Sequence, residues 1–184
     1  MPRISNYVSC SPSKAKAAKS STRSPPPPGY IKLNNNVALS STRTALAIIA
    51  RDNNGSICNI WTKLLSQRSP LQAEAEVLLW AVHITNQENW SYIILESNLK
   101  IFIDSLSSSV PDSDWSTNTI FSNLLDFAKC FSVCSFVWTS RTSNSAAHIA
   151  AKYCMPFPFS KDNLPLALVV ACKEDYHACS RFSQ

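Results

Sequence analysis

The sequence predicts an α/β domain: one five-stranded mixed sheet, three antiparallel meander strands first, with helices on both faces. Three features carry this. Strand-length apolar runs recur from Tyr30 onward, short turn-rich links join the first three, and segments of helical periodicity separate the later ones. With 184 residues, 45% of them hydrophobic, the chain suits one domain with tails.

Tyr30–Ala38 reads as the first strand, and Thr44–Arg51 (TALAIIAR) as a second, apolar enough to be central. Asp52-Asn53-Asn54-Gly55 is a turn, and Ser56–Leu65 follows as a third strand. The clearest helix comes next. Ser69 is placed to cap it, Pro70 fits its first position, and Gln72 completes an S-x-x-Q capping box. At 100° per residue Leu71, Ala75, Leu78 and Val82 form its apolar stripe. Glu74 lies about 60° from the middle of that stripe, where a buried charge needs a partner or a metal, whereas Glu76 turns toward solvent. Ser91–Ser97 is a fourth strand and Leu99–Leu106 a short helix. A polar stretch, Ser107–Ser113, precedes an amphipathic helix over Ser116–Cys130. Ser132–Thr139 is the fifth strand, and an Ala-rich helix covers Asn144–Lys152. The terminal stretch Leu164–Cys172 (LPLALVVAC) reads as a docked strand or a short helix.

The net charge of +5 belongs to one segment. Residues 1–28 hold Arg3, Lys14, Lys16, Lys19 and Arg23 and no acid, and end in Pro25-Pro26-Pro27-Pro28. Such a composition buries too little apolar surface to offset its ordering entropy, so a disordered basic arm ending in a polyproline spacer is expected. Its lack of acids also fits an organelle transit peptide; the alternative is an untargeted leader or the remnant of a longer upstream protein. Residues 29–154, the domain, and 155–184, a C-terminal extension, are each neutral, so bulk charge gives no sign of nucleic-acid binding outside the arm. Two glycines, Gly29 and Gly55, are too few for a P-loop or a glycine-rich dinucleotide fingerprint. No apolar run approaches the roughly 18 residues of a membrane-spanning helix. The seven cysteines include no CxxC pair, which favours reduced thiols and an intracellular setting, nuclear, cytoplasmic or organellar. Cys130 and Cys134 read as core thiols.

Five local sequences in order resemble one family. They are Pro27-Pro28-Gly29-Tyr30-Ile31-Lys32-Leu33-Asn34; Ile48-Ile49-Ala50-Arg51-Asp52; Ala73-Glu74-Ala75-Glu76; Leu95-Glu96-Ser97-Asn98; and Arg141-x-x-Asn144-x-x-Ala147-His148-x-x-Ala151-Lys152. Together they resemble type 1 ribonuclease H domains, in particular the plant, retroelement-related branch, over about residues 25–154. The resemblance implies metal-assisted hydrolysis of the RNA strand of an RNA–DNA hybrid, with four carboxylates gathering two Mg²⁺ ions. Those four positions fall on Asn36, Glu74, Asn98 and His148. Only Glu74 is an acid; His is also met at the last position in that branch, while the two asparagines depart from the pattern. The formal charge of such a site drops from about −4 to about −1, leaving two divalent ions largely uncompensated. Glu96 shares a strand face with Asn98, but the family commonly has Glu there besides the Asp, so it is no special compensation.

The expectation is therefore a nucleic-acid-binding or interaction module that has lost cleavage, with Mg²⁺ absent or weakly held by Glu74 and, less well, by Asn36, Asn98 and His148. The alternative is a working hybrid ribonuclease with a degenerate two-metal site. Each residue also has a plainer role. Glu74 can be a vestige hydrogen-bonded to Asn36 or Asn98, and His148 a polar residue at the rim. Arg141 and Lys152 are solvated charges unless they touch phosphate, and Trp61, Trp80, Trp90, Trp115 and Trp138 are packing. A monomer is expected, with RNA or an RNA–DNA hybrid as partner, in part through the basic arm.

Overall fold

The computed structural model describes residues 24–100, 103–104, 115–159 and 161–180. Five strands, β1 (Ile31–Leu39), β2 (Arg43–Arg51), β3 (Ile57–Ser66), β4 (Tyr92–Ser97) and β5 (Val133–Trp138), form one sheet in the order β3-β2-β1-β4-β5. β1 and β3 flank β2 antiparallel, while β1–β4 and β4–β5 are parallel. The mixed sheet and its meander agree with the sequence. The predicted turn closes β2 to β3: Asp52 Oδ1 accepts from the Asn54 and Ser56 amides, and Gly55 takes the left-handed φ of 79° that this tight link needs.

Helix α1 (Pro70–Gln87) starts with the predicted capping box, Ser69 Oγ accepting from the Gln72 amide and Gln72 Oε1 from the Ser69 amide. Its buried side, Ala75, Val77, Leu78, Ala81 and Val82, packs on the sheet face made by Leu33, Leu46, Ile48, Ala50, Ile93 and Leu95, with Leu124 of α2 (Trp115–Ala128) completing that core. The opposite face, Ala47, Ile49 and Ile60, is covered by α3 (Ser145–Cys154) through Ala146, Ala147, Ala150 and Ala151. Small side chains let α3 approach the strands closely. The helix predicted over Leu99–Leu106 is described only in part: Lys100, Ile103 and Asp104 are helical and the Ile103 amide donates to Leu99 O, while residues 101–102 and 105–106, with Ser107–Ser113, lie outside the described residues.

Four details depart from the sequence expectations. Leu164–Cys172 opens a longer helix, α4 (Leu166–Ser180), whose Leu168, Ala171 and Cys172 join the α3 side of the core. Its approach is tied to β3 by Thr62, whose hydroxyl donates to Phe159 O and accepts from the Phe159 amide. The polyproline end of the arm is docked, not a free spacer: Pro26 is buried and Ser24 O accepts from Lys32 Nζ. Residues 1–23 lie outside the described residues. Cys130 is exposed because it sits in the turn after α2, while Cys134 on β5 is buried as expected. Glu76 is half-buried and pairs with Arg68 (Nε–Oε1 3.1 Å), because the loop before α1 folds the arginine back over the helix.

The tryptophans pack. Trp61 and Trp90 meet edge to face at 6.1 Å, and Lys63 Nζ lies 5.7 Å from the Trp80 ring centroid. Trp138 Nε1 donates to Asn98 O. The Trp115 side chain lies outside the described residues.

Candidate functional site

The parallel pair β1–β4 runs in register from Ile31 opposite Ile93 to Asn34 opposite Glu96 and then parts. Beyond that point β1 continues against β2 alone and β4 against β5. Parting strands open a crevice at the carboxyl ends of the parallel strands, the place where ligands bind on open α/β sheets. They also strip two backbone carbonyls of ladder partners. Side-chain amides take over: Asn144 Nδ2 donates to Asn35 O (2.7 Å), and Asn35 Nδ2 donates to Glu96 O (2.9 Å). Both asparagines are buried. Sequence reasoning gave neither a role. Asn144 stood in a quoted motif, but Asn35 was one of three consecutive asparagines with nothing to single it out.

Asn36, the next residue on β1, is buried on the face covered by α3. Its Nδ2 donates to Val37 O and lies 3.2 Å from His148 Nδ1 on α3. With the amide in this orientation Nδ1 accepts, so the ring proton sits on Nε2. The neutral ring suits its surroundings: burial, Lys152 and Arg141 all hold the His148 pKa below its ordinary value.

Glu74, on α1, is the one acid among the four positions. Burial pushes its pKa up from 4.5 to about 7, with the Arg141 charge opposing. Its Oε2 is buried and has no hydrogen-bond partner among the described residues. The expected bond from Glu74 to Asn36 or Asn98 does not form. Asn98, just past β4, uses its backbone carbonyl to hold Trp138, and its buried Oδ1 has no partner among the described residues. The structure thus joins Asn36 to His148 directly, relates Glu74 to His148 only through the field of Arg141, and gives Asn98 no side-chain bond to any of them.

Glu96 is fully engaged. Its Oε1 pairs with Lys32 Nζ at 2.7 Å and its Oε2 accepts from Asn34 Nδ2 at 2.6 Å. The negative charge of this carboxylate is already balanced by the Lys32 ammonium. Among the described residues no group of three or more His, Cys, Asp or Glu side chains is placed to hold a metal ion. One carboxyl that readily keeps its proton, two amides and an imidazole facing an amide N–H do not fit a two-Mg²⁺ centre, which requires several anionic oxygens.

A family described as reverse transcriptase-like matches residues 34–154. None of the curated proteins compared matches the chain. Among solved structures, the RNase H1 of the halophilic archaeon Halobacterium salinarum is similar with a TM-score of 0.65 at 15% identity, over 69% of this chain and 98% of that one. The N-terminal RNase H domain of rv2228c from Mycobacterium tuberculosis is similar with a TM-score of 0.63 at 10% identity, over 69% and 94%. LC11-RNase H1, solved in complex with an RNA/DNA hybrid, is similar with a TM-score of 0.59 at 12% identity, over 65% and 91%. At such identities the likeness is one of fold.

Proposed function

The chain belongs to the reverse transcriptase-like family as an RNase H-like domain, and from that premise we propose that it binds nucleic acid of the RNA–DNA hybrid class without cleaving it. One observation carries the reading: the crevice retains a single acid, Glu74, at the four positions where the resemblance asks for metal-binding carboxylates, and burial favours its protonated form. Two-metal hydrolysis needs anionic oxygens to hold the ions and place the attacking water. Asparagines at 36 and 98 preserve size and a carbonyl oxygen but supply no charge. The hybrid as ligand class is supported by two structures of similar fold that contain one, LC11-RNase H1 and the foamy viral protease-reverse transcriptase.

The test is a labelled RNA–DNA hybrid incubated with the full chain and Mg²⁺ or Mn²⁺. The expected result is binding, with no cleavage above a Glu74→Ala control. Metal-dependent cutting that the substitution abolishes would establish a degenerate working site instead.

The basic arm adds affinity in this reading. Residues 1–23 hold the whole charge excess, five cations and no acid. Deleting them is expected to weaken hybrid binding at low salt and to flatten its salt dependence, because released counterions scale with the phosphates neutralised. Equal salt slopes with and without the arm would place the contacts on the folded domain alone.

A further inference from the structure

The crevice carries an inverted charge. Arg141 lies three residues past the end of β5, at the turn that leads through Asn144 into α3, and its field reaches both Glu74 and His148. Lys152 lies one turn beyond His148 on the same helix, and its field reaches the imidazole too. Both cationic side chains are exposed, and neither makes a hydrogen bond or ion pair to another described residue. Two nearby cations are engaged, Lys32 by Glu96 and Arg68 by Glu76. Glu96 is neutralised by Lys32, and Glu74 is the acid that the charge of Arg141 reaches. The parted carbonyls are met by the amide nitrogens of Asn35 and Asn144, whose own Oδ1 atoms stay buried without a hydrogen-bond donor among the described residues.

We propose that this crevice binds a nucleic-acid phosphate directly, with Arg141 as the principal contact and Lys152 beside it, and that no metal ion bridges protein and backbone. The guanidinium presents paired N–H donors matched to two phosphate oxygens, a geometry that an ammonium lacks. Lys152 adds a point charge on the same rim, and Asn36 keeps the neutral His148 ring turned toward the sheet. Where carboxylates would need divalent cations before a phosphate could approach, asparagine and histidine leave the approach open to the anion itself. This inference rests on the nucleic-acid-binding reading above and goes further by fixing the place and the metal independence of the contact.

The experiment measures hybrid affinity of the full chain by fluorescence anisotropy, in EDTA and in Mg²⁺ at matched ionic strength. Wild type is compared with Arg141→Gln, Arg141→Lys and Lys152→Gln. Wild-type affinity is expected to be the same in EDTA as in Mg²⁺. Arg141→Gln should weaken binding about tenfold, as expected for a lost charged hydrogen bond, and lower the salt slope by about one. Arg141→Lys should recover only part of the loss, and Lys152→Gln should show a smaller one. Because both residues are exposed, thermal unfolding of the variants should match wild type in mildly acidic buffer, where Glu74 keeps its proton with or without Arg141. Affinity that collapses in EDTA, or that Arg141→Gln leaves intact, overturns the inference while hybrid binding itself stands. Inorganic phosphate bound tightly by wild type, with hybrid affinity unchanged in Arg141→Gln, would assign the crevice to free phosphate and also overturn it. No hybrid binding by wild type would remove this inference and the proposed function together.

Discussion

Lys32→Met is expected to lower the free energy of unfolding by about 3–5 kcal/mol, the cost of leaving one member of a buried ion pair alone. The side chains of Lys32 and Glu96 are only 7% and 10% exposed, so the Glu96 carboxylate left behind would be out of reach of bulk water. Asn34 would still donate to one oxygen, but an amide supplies no compensating charge. The same substitution removes the donor to Ser24 O and with it the polar anchor of the docked polyproline segment. Urea unfolding of the variant should show a lower midpoint with little change in slope. The double variant Lys32→Met/Glu96→Leu tests the cause. With no stranded charge it should regain much of the lost stability, since well-packed apolar replacements of buried ion pairs are often neutral or better. A double variant as unstable as the single one would mean that stranded charge is not the source of the loss.

That ion pair also shows where sequence reading stops. The strands themselves were legible because their signals are local: a run such as TALAIIAR, a turn such as Asp52-Asn53-Asn54-Gly55, a capping box at Ser69. Lys32 and Glu96 are far apart in the chain and meet only through the parallel register that sets Asn34 opposite Glu96. Nothing in either neighbourhood announces the partner. The same holds for Asn144 and Asn35, whose bond exists because β1 and β4 part after one particular residue. Asn36 and His148 were singled out by resemblance alone, and their 3.2 Å contact follows from α3 crossing β1. The terminal run LPLALVVAC stayed ambiguous because an apolar stretch without clear period suits a strand or a helix equally. Packing decides it: the alanines of α3 leave room for a second helix, and Leu168 fills the gap.

Glu74→Gln is expected to stabilise the protein above neutral pH by about 3 kcal/mol and to do nothing of the kind in acid. Burial disfavours the charged carboxylate, so the native state keeps this proton up to about pH 7, whereas the unfolded chain gives it up near 4.5. Between those values folding takes up a proton. The stabilisation is complete below 4.5 and is lost as pH rises through 7, after which the fold carries a largely buried carboxylate whose Oε2 has no partner among the described residues. Glutamine has nearly the same shape and never ionises, so its stability profile should lack that decline. Urea unfolding of wild type and variant between pH 4 and pH 8.5 should give curves that converge in acid and separate steadily toward alkali. Arg141→Gln should widen the separation, because its charge is what opposes the upward shift. Parallel curves would show that Glu74 ionises as an ordinary glutamate, fully charged at neutral pH. A charged Glu74 is what a divalent cation would need first, so the same outcome would weaken the claim that this crevice has given up metal-dependent cleavage.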